Sequence, residues 1–389
     1  MTFKLRGFVM KWVMLLLFFI LYPSFGFGFY IDKIDKTPCN LDRYADESLP
    51  IHKFFKSTDF EEQGITVNTD PLLLQHVVRD AIAFFDRYKE THHAVLAPSK
   101  LAKSQFSSAV AYTTLKYIDQ IIEQDKKNGG PYRICDDTFL RSNFGFLRWH
   151  GEKAAKHAQV PHVVQNEGAI KLTHYLIYKM IGSYKKTKKY AYPLFAQKDK
   201  TQKITLTKQE IMEGALLNNE LVEPMVWVTN EALEEAMMQG TIILQMPDGV
   251  KRAFNVDTNN GYHYERHVPR DQQKIYWFFR ELTQENVQLL VDRSSRRRNV
   301  LFAGDLYHIG FGKIVAISYM NKKTNKQTLQ LGVIGDTGGA FIKNAHHLDL
   351  FCGIYADKLH LKEHLKIYPD NVQAYLLYKK SKAVRAYQA

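Results

Sequence analysis

Three cysteines in 389 residues are too few for a disulfide scaffold, and any intramolecular bridge leaves one thiol over. Beyond Tyr22 no apolar run approaches the length needed to cross a bilayer. No internal repeat or low-complexity stretch is present, which excludes solenoid and fibrous architectures. Acidic residues are in deficit, with 40 Asp and Glu against 53 Lys and Arg and a formal charge of +13. That balance favours an anionic partner, whether cell-wall polymer, lipid surface or nucleic acid, and no nucleic-acid recognition motif accompanies it. What the chain does have is apolar residues at 45% and aromatics at 13%, ample for a packed core and unlike a disordered composition. The length allows one large domain or two or three ordinary ones.

The N-terminus reads as separate from the fold. Lys4, Arg6 and Lys11 precede the apolar stretch Trp12–Tyr22, and Ser24, Gly26 and Gly28 follow it. A run of about eleven apolar residues between basic and small residues fits a secretory signal over 1–28, or an uncleaved anchor. Export implies an oxidising compartment. Of Cys39, Cys135 and Cys352, the first two lie closest in the chain and are the expected pair.

Residues 29–165 read as a helical N-terminal region. Leu72, Leu73, His76, Val77, Ala81, Phe84 and Phe85 recur at three-to-four spacing. A second helix is expected over 99–124, stopped by Gly129-Gly130-Pro131, and a shorter one over 137–148. From Ala169 the pattern changes to short apolar runs broken by turns: 172–180, 222–228, 241–245, 250–256, 314–319 and 328–334. Pro247-Asp248-Gly249 and Asn259-Asn260-Gly261 are hairpin-type turns. Helices are expected over 208–218 and about 271–292. Many short strands with a few inserted helices indicate a barrel-like β core. The runs Lys185–Lys189 and Arg293–Arg298 read as solvated surface loops.

Three aspartates could carry chemistry. The run Val333-Ile334-Gly335-Asp336-Thr337-Gly338-Gly339 puts a carboxylate at the end of a buried strand. Asp349 is wedged between Leu348 and Leu350-Phe351, where apolar surroundings raise a carboxyl's pKa and keep it an acid near neutral pH. Asp305 precedes Gly310 and Gly312. His346-His347 beside Asp349 lack a third spaced ligand, so no metal is expected.

These residues resemble the membrane-bound lytic transglycosylase A family over about 165–380. The resemblance rests on Asp305, Gly310 and Gly312, then Asp336-Thr337-Gly338-Gly339-Ala340, then Asp349-Leu350-Phe351 and Gly353. It extends to Thr173-His174-Tyr175, Gly182-Ser183, Tyr190-Ala191-Tyr192-Pro193-Leu194, Glu210–Leu216, Gln239-Gly240-Thr241, Asp248-Gly249 and Asn260-Gly261-Tyr262-His263-Tyr264. It implies a mainly β fold with α: a double-psi β-barrel over about 166–205 and 285–380, with an inserted second β domain over about 206–284. It also implies peptidoglycan cleavage without water, between N-acetylmuramic acid and N-acetylglucosamine, leaving a 1,6-anhydromuramyl end. Asp349 then matches the catalytic aspartate, acid first and base second. Asp336, Gln239, Tyr175, Asn260 and Tyr264 match substrate-binding positions, and Asp305, Gly338 and Gly339 structural ones. No cofactor is implied.

The implied partners are glycan strands in the envelope of a Gram-negative bacterium, with an envelope protein as a further partner of the helical region. No nucleic acid is expected, and membrane contact is expected only through the N-terminal segment. The sequence departs from the family's Tyr-Tyr-Glu-Pro run at Tyr175-Leu176-Ile177-Tyr178, where Ile177 replaces a polar groove residue. Thr241-Ile242 replaces Ser-Gly, and Phe341 is an extra residue. Those changes leave open an alternative in which the same fold binds peptidoglycan, or scaffolds the envelope, without cutting.

Overall fold

The computed structural model describes residues 49–60, 64–88, 107–164, 166–262, 265, 268–341 and 343–380. The expected signal, Cys39 and Tyr264 lie outside these residues. No helix among the described residues is long and apolar enough to cross a membrane.

The first helix forms where the periodicity puts it. α1 (Pro71–Tyr88) begins at Asp70, whose carboxylate accepts the Leu72 and Leu73 N–H groups at 2.9 and 3.0 Å. Its Leu74, Val77, Val78, Ala81, Phe84 and Phe85 are buried. α2 (Ser108–Lys127) is capped by Ser107 and buries Leu115, Ile118, Ile121 and Ile122 against the same core. The earlier part of the expected second helix, 99–106, lies outside the described residues.

This region is not only helical. β1 (Phe55–Thr58) pairs antiparallel with β3 (Phe144–Trp149), and β2 (Thr66–Val67) joins a later strand. The helix expected over 137–148 stops early, as α3 (Asp137–Asn143). Gly145 explains the stop: it disfavours helix, and a Cβ there would lie 2.2 Å from the Tyr378 ring. Its lack of a side chain lets β3 run beneath that tyrosine. α4 (Gly151–His157) then leads to β4 (Ala169–Ile181).

The chain next builds a second module. β5 (Tyr192–Gln197) pairs with β6 (Val222–Val228), with α5 (Lys208–Glu213) between them and α6 (Asn230–Gln239) after them. β7 (Thr241–Gln245) pairs with the last residues of β4, and β8 (Lys251–Asn259) and β9 (Trp277–Glu281) extend that sheet. Leu194, Phe195, Val226, Val228, Phe254, Tyr276 and Phe278 form its own core. Because Leu194 and Phe195 belong here, the barrel's first arm ends with β4 and not near 205. The helix expected over 271–292 divides instead into β9 and α7 (Gln284–Arg297). Pairing with β8 buries Phe278 and Phe279, and Thr283 caps the helix start.

The remaining strands are β10 (Leu301–Ala303), β11 (Lys313–Asn321), β12 (Lys326–Asp336), β13 (His347–Tyr355) and β14 (Asn371–Lys379), with α8 (Lys358–Leu365) before the last. β14, β11, β12, β10, β13 and β4 are neighbours in that order, and β4 pairs back to β14, closing a six-strand barrel. β2 pairs with β12 and β3 with β14, so the N-terminal region and the barrel share one core. The β-rich barrel with a second β module matches the expected fold class. β4 belongs to both parts, its first half in the barrel wall and its last four residues in the second sheet.

Candidate active site

Strand order brings two of the aspartates together. Ala303 of the short central strand β10 pairs with Asp336 of β12 on one side and with Asp349 of β13 on the other. Asp349 pairs in turn with Thr173 of β4. Paired residues point to one face of a sheet, so Asp336, Ala303, Asp349 and Thr173 form a row across four strands. Tyr175 follows Thr173 by two and shares its face. Its hydroxyl donates to Asp336 Oδ2 at 2.9 Å.

Asp349 lies between Leu348 and Leu350, both fully buried, and keeps part of its own surface open. Burial pushes its acid up to about 7; the Thr173 hydroxyl opposes that rise, and the charge of Asp336 adds to it. Thr173 Oγ1 donates to Asp349 Oδ1 at 2.9 Å and lies 2.5 Å from His347 Nε2. Its one proton being committed to Asp349, Thr173 can only accept from the histidine, which assigns His347 the Nε2–H tautomer. The other ring nitrogen then faces the Asn344 amide at 3.4 Å. The chain of donors runs from Asn344 through His347 and Thr173 to Oδ1, leaving Oδ2 to carry the acidic proton.

Asp336 is 7% exposed and accepts from Tyr175 and, at Oδ1, from the Thr337 N–H at 2.9 Å. Burial, followed by the charge of Asp336, holds the Tyr175 hydroxyl well above its usual range, so it remains a donor. Arg297 opposes that shift from the end of α7. The Arg293–Arg298 run is therefore not a solvated loop throughout: Arg297 is 1% exposed and bonds Asp80 of α1 at 2.7 Å.

The other expected residues have different surroundings. Asp305 is 1% exposed and accepts from the Tyr307, His308 and Asn344 N–H groups and from His308 Nδ1, tying the turn after β10 to the loop after β12. Gly338 has open space where a Cβ would stand, and Gly339 opens the short turn Gly339–Phe341. Gln239 accepts the Leu176 N–H at 3.1 Å, bracing the strand one residue from Tyr175. Asn260 is 3% exposed, with both amide donors on the Leu206 and Lys274 carbonyls and its oxygen on the Tyr276 N–H. Both its donors and its oxygen are thus engaged by the main chain. Ile177 is 3% exposed in the barrel core, so the residue read as a lost groove contact faces away from solvent.

Three residues in or against this row carried no assigned role in the sequence: Thr173, His347 and Arg297. Period-two alternation from Tyr175 and from Asp349 points to the first two. Arg297 carries no such signal. Among the described residues no group of three or more His, Cys, Asp or Glu could hold a metal. Cys135 is a free thiol 3.5 Å from the Thr69 carbonyl.

No protein-family model matches the sequence, and no curated protein does. Solved structures do resemble the fold. One is the membrane-bound lytic murein transglycosylase from Agrobacterium tumefaciens, with a TM-score of 0.54 and 13% identity, covering 82% of this chain and 95% of that one. Another is E. coli MltA with bound chitohexaose, with a TM-score of 0.54 and 14% identity, covering 84% and 95%. Over most of the chain the fold is thus similar to that of these lytic murein transglycosylases.

Proposed function

We propose that this protein is an exported peptidoglycan lytic transglycosylase with Asp349 as its single acid and base. The observation that carries the reading is a carboxyl held as an acid up to about pH 7 by burial, in the same row as a second carboxylate. Protonated Asp349 gives its proton to the glycosidic oxygen as the bond to the muramyl C1 breaks. The carboxylate so formed takes the proton of the muramyl C6 hydroxyl, whose oxygen bonds to C1. Proton and electron pairs balance, no water is consumed, and the acid is regenerated. Hydrolytic glycosidases commonly pair two carboxyls in separate roles. Here Asp336, already accepting from Tyr175 and Thr337, serves to bind sugar and to hold charge near C1. The fold likeness supports peptidoglycan as the substrate class, since the similar proteins are lytic murein transglycosylases and one was crystallised with chitohexaose.

The test is digestion of purified murein sacculi. Wild type is expected to release 1,6-anhydro muropeptides and Asp349→Asn to release none. Wild type that sediments with sacculi yet cuts nothing would replace catalysis with glycan binding on the same fold. Release of hydrolysed rather than anhydro ends would refute the single-residue mechanism.

A further inference from the structure

At the end of β4 remote from Tyr175 the chain forms an exposed projection. Six residues separate Tyr175 from Ile181, about 20 Å of strand. Gly182 N–H then bonds the Gln245 carbonyl, and Ser183 exchanges two main-chain bonds of 2.8 Å with Trp227. The loop that follows is closed by Thr187, which bonds Tyr190 through both its N–H and its hydroxyl. The turn between β7 and β8 lies beside it, with the Tyr184 hydroxyl donating to Asp248 at 2.7 Å.

Two kinds of surface meet there. Ile181, Tyr184 and Val250 are exposed by 57, 46 and 41%, three of the eight exposed large apolar side chains among the described residues. Lys185, Lys186, Lys188 and Lys189 follow Tyr184 in the same loop, all exposed. Among the described residues none of these four lysines forms an ion pair. Lys186 lies 5.6 Å above the Trp227 ring and Lys189 5.3 Å above that of Tyr190. A solvated loop gains nothing from exposing Ile, Val and Tyr beside a run of lysines, because the apolar area remains in water.

We propose that this projection docks the protein on an anionic bilayer. The lysines meet lipid phosphates, while Ile181, Val250 and Tyr184 sit at headgroup depth, the arrangement of interfacial anchors. An anionic polymer would satisfy the lysines and leave the three apolar side chains exposed, which is why a lipid surface is the better occupant. Docking there holds the Asp349 row about 20 Å from the lipid. It adds a second membrane contact to any made by the N-terminal segment.

The test is co-sedimentation of the full-length protein with vesicles of phosphatidylcholine alone and of phosphatidylcholine with phosphatidylglycerol. The N-terminal segment is common to every variant, so the differences between variants report the projection. A lysine near an anionic surface contributes about a fivefold gain in partitioning, so Lys→Gln at all four positions should weaken binding to the anionic vesicles by nearly three orders of magnitude, roughly 600-fold. Added salt should weaken wild-type binding more than that of the variant. Ile181→Ser with Val250→Ser should weaken it by several-fold without altering the salt dependence. Both sets lie on exposed positions, and unchanged thermal midpoints would show that they fold. Equal binding of the wild type and the four-lysine variant to anionic vesicles would overturn the proposal. So would a loss seen on sacculi but not on vesicles, which would make the projection a polymer-binding loop.

Discussion

Replacing Asp349 by Asn should abolish cleavage and, at alkaline pH, make the protein more stable. The carboxyl's acid is shifted from 3.8 to about 7, mainly by burial. The folded state therefore keeps a proton that the unfolded chain has released between those two values. Stability is full below the lower value and falls as pH rises through the upper one. Fully developed, the shift corresponds to about 4 kcal/mol, of which about 2–3 kcal/mol accrues between pH 5 and pH 8. Part of the carboxyl is open to solvent, which reduces the penalty, so about 1–3 kcal/mol is expected over that interval. Asn keeps an oxygen for the Thr173 hydroxyl, places an amide where the acid carries its O–H, and cannot ionise. The assay is the thermal midpoint of wild type and Asp349→Asn at both pH values. The variant's advantage should widen by about 1–4 °C toward the alkaline end. A gap that stays constant with pH, or a variant less stable at pH 8, would show that Asp349 is ionised in the folded protein and refute its role as the acid.

Four further outcomes follow from the same geometry. Cleavage of sacculi should decline as pH rises through about 7, measured as kcat/KM against pH; activity that climbs across that range would exclude a protonated carboxyl as donor. Thr173→Val removes the hydrogen bond that lowers the acid, so that decline should move to higher pH, whereas a purely structural loss would lower the whole curve without shifting it. Asn260→Ala leaves three main-chain groups unsatisfied and should cost about 2–4 kcal/mol in urea unfolding; KM for glycan should stay the same, and a raised KM without loss of stability would make Asn260 a substrate contact after all. Gly338→Ala meets no neighbour and should change stability by less than about 0.5 kcal/mol, yet raise KM if glycan crosses the open face beside Asp336.

The strands of the second module were among the most legible parts of the fold, because β6 and β7 are bounded by turns and match their expected limits to the residue. Segments whose state is decided by a distant partner were not legible. Phe144–Trp149 is a strand because β14 lies beside it with Tyr378 over Gly145, and no local pattern encodes that contact. Trp277–Glu281 is likewise a strand through β8, while its residues sit next to a strong helical stretch. In the site, the two aspartates were visible as residues, but their relation was not. It runs through Ala303, on a strand of three residues too short and uniformly buried to show any period. Asn260 and Gln239 were read from their motifs as substrate contacts, while the backbone engages the Asn260 amide and the Gln239 oxygen. Sequence reports that such an amide sits at a turn; it does not report whether the amide is already occupied.

The difference between the two carboxyls decides which of them can act as the acid. Asp336 accepts hydrogen bonds on both oxygens, from Tyr175 and from the Thr337 N–H. Among the described residues Asp349 has a donor only on Oδ1; it lies among leucines, and its neighbour in the row, Ala303, stands between it and Asp336. Such a pair splits into one anion and one neutral acid, and the environments choose the member that keeps the proton. A protein that only bound glycan would gain nothing from holding a neutral carboxyl next to an anion, since two ordinary carboxylates would hydrogen-bond sugar hydroxyls as well and without the burial cost. The asymmetry is what a bond-breaking acid requires, and it is the reason for preferring catalysis over binding on this fold.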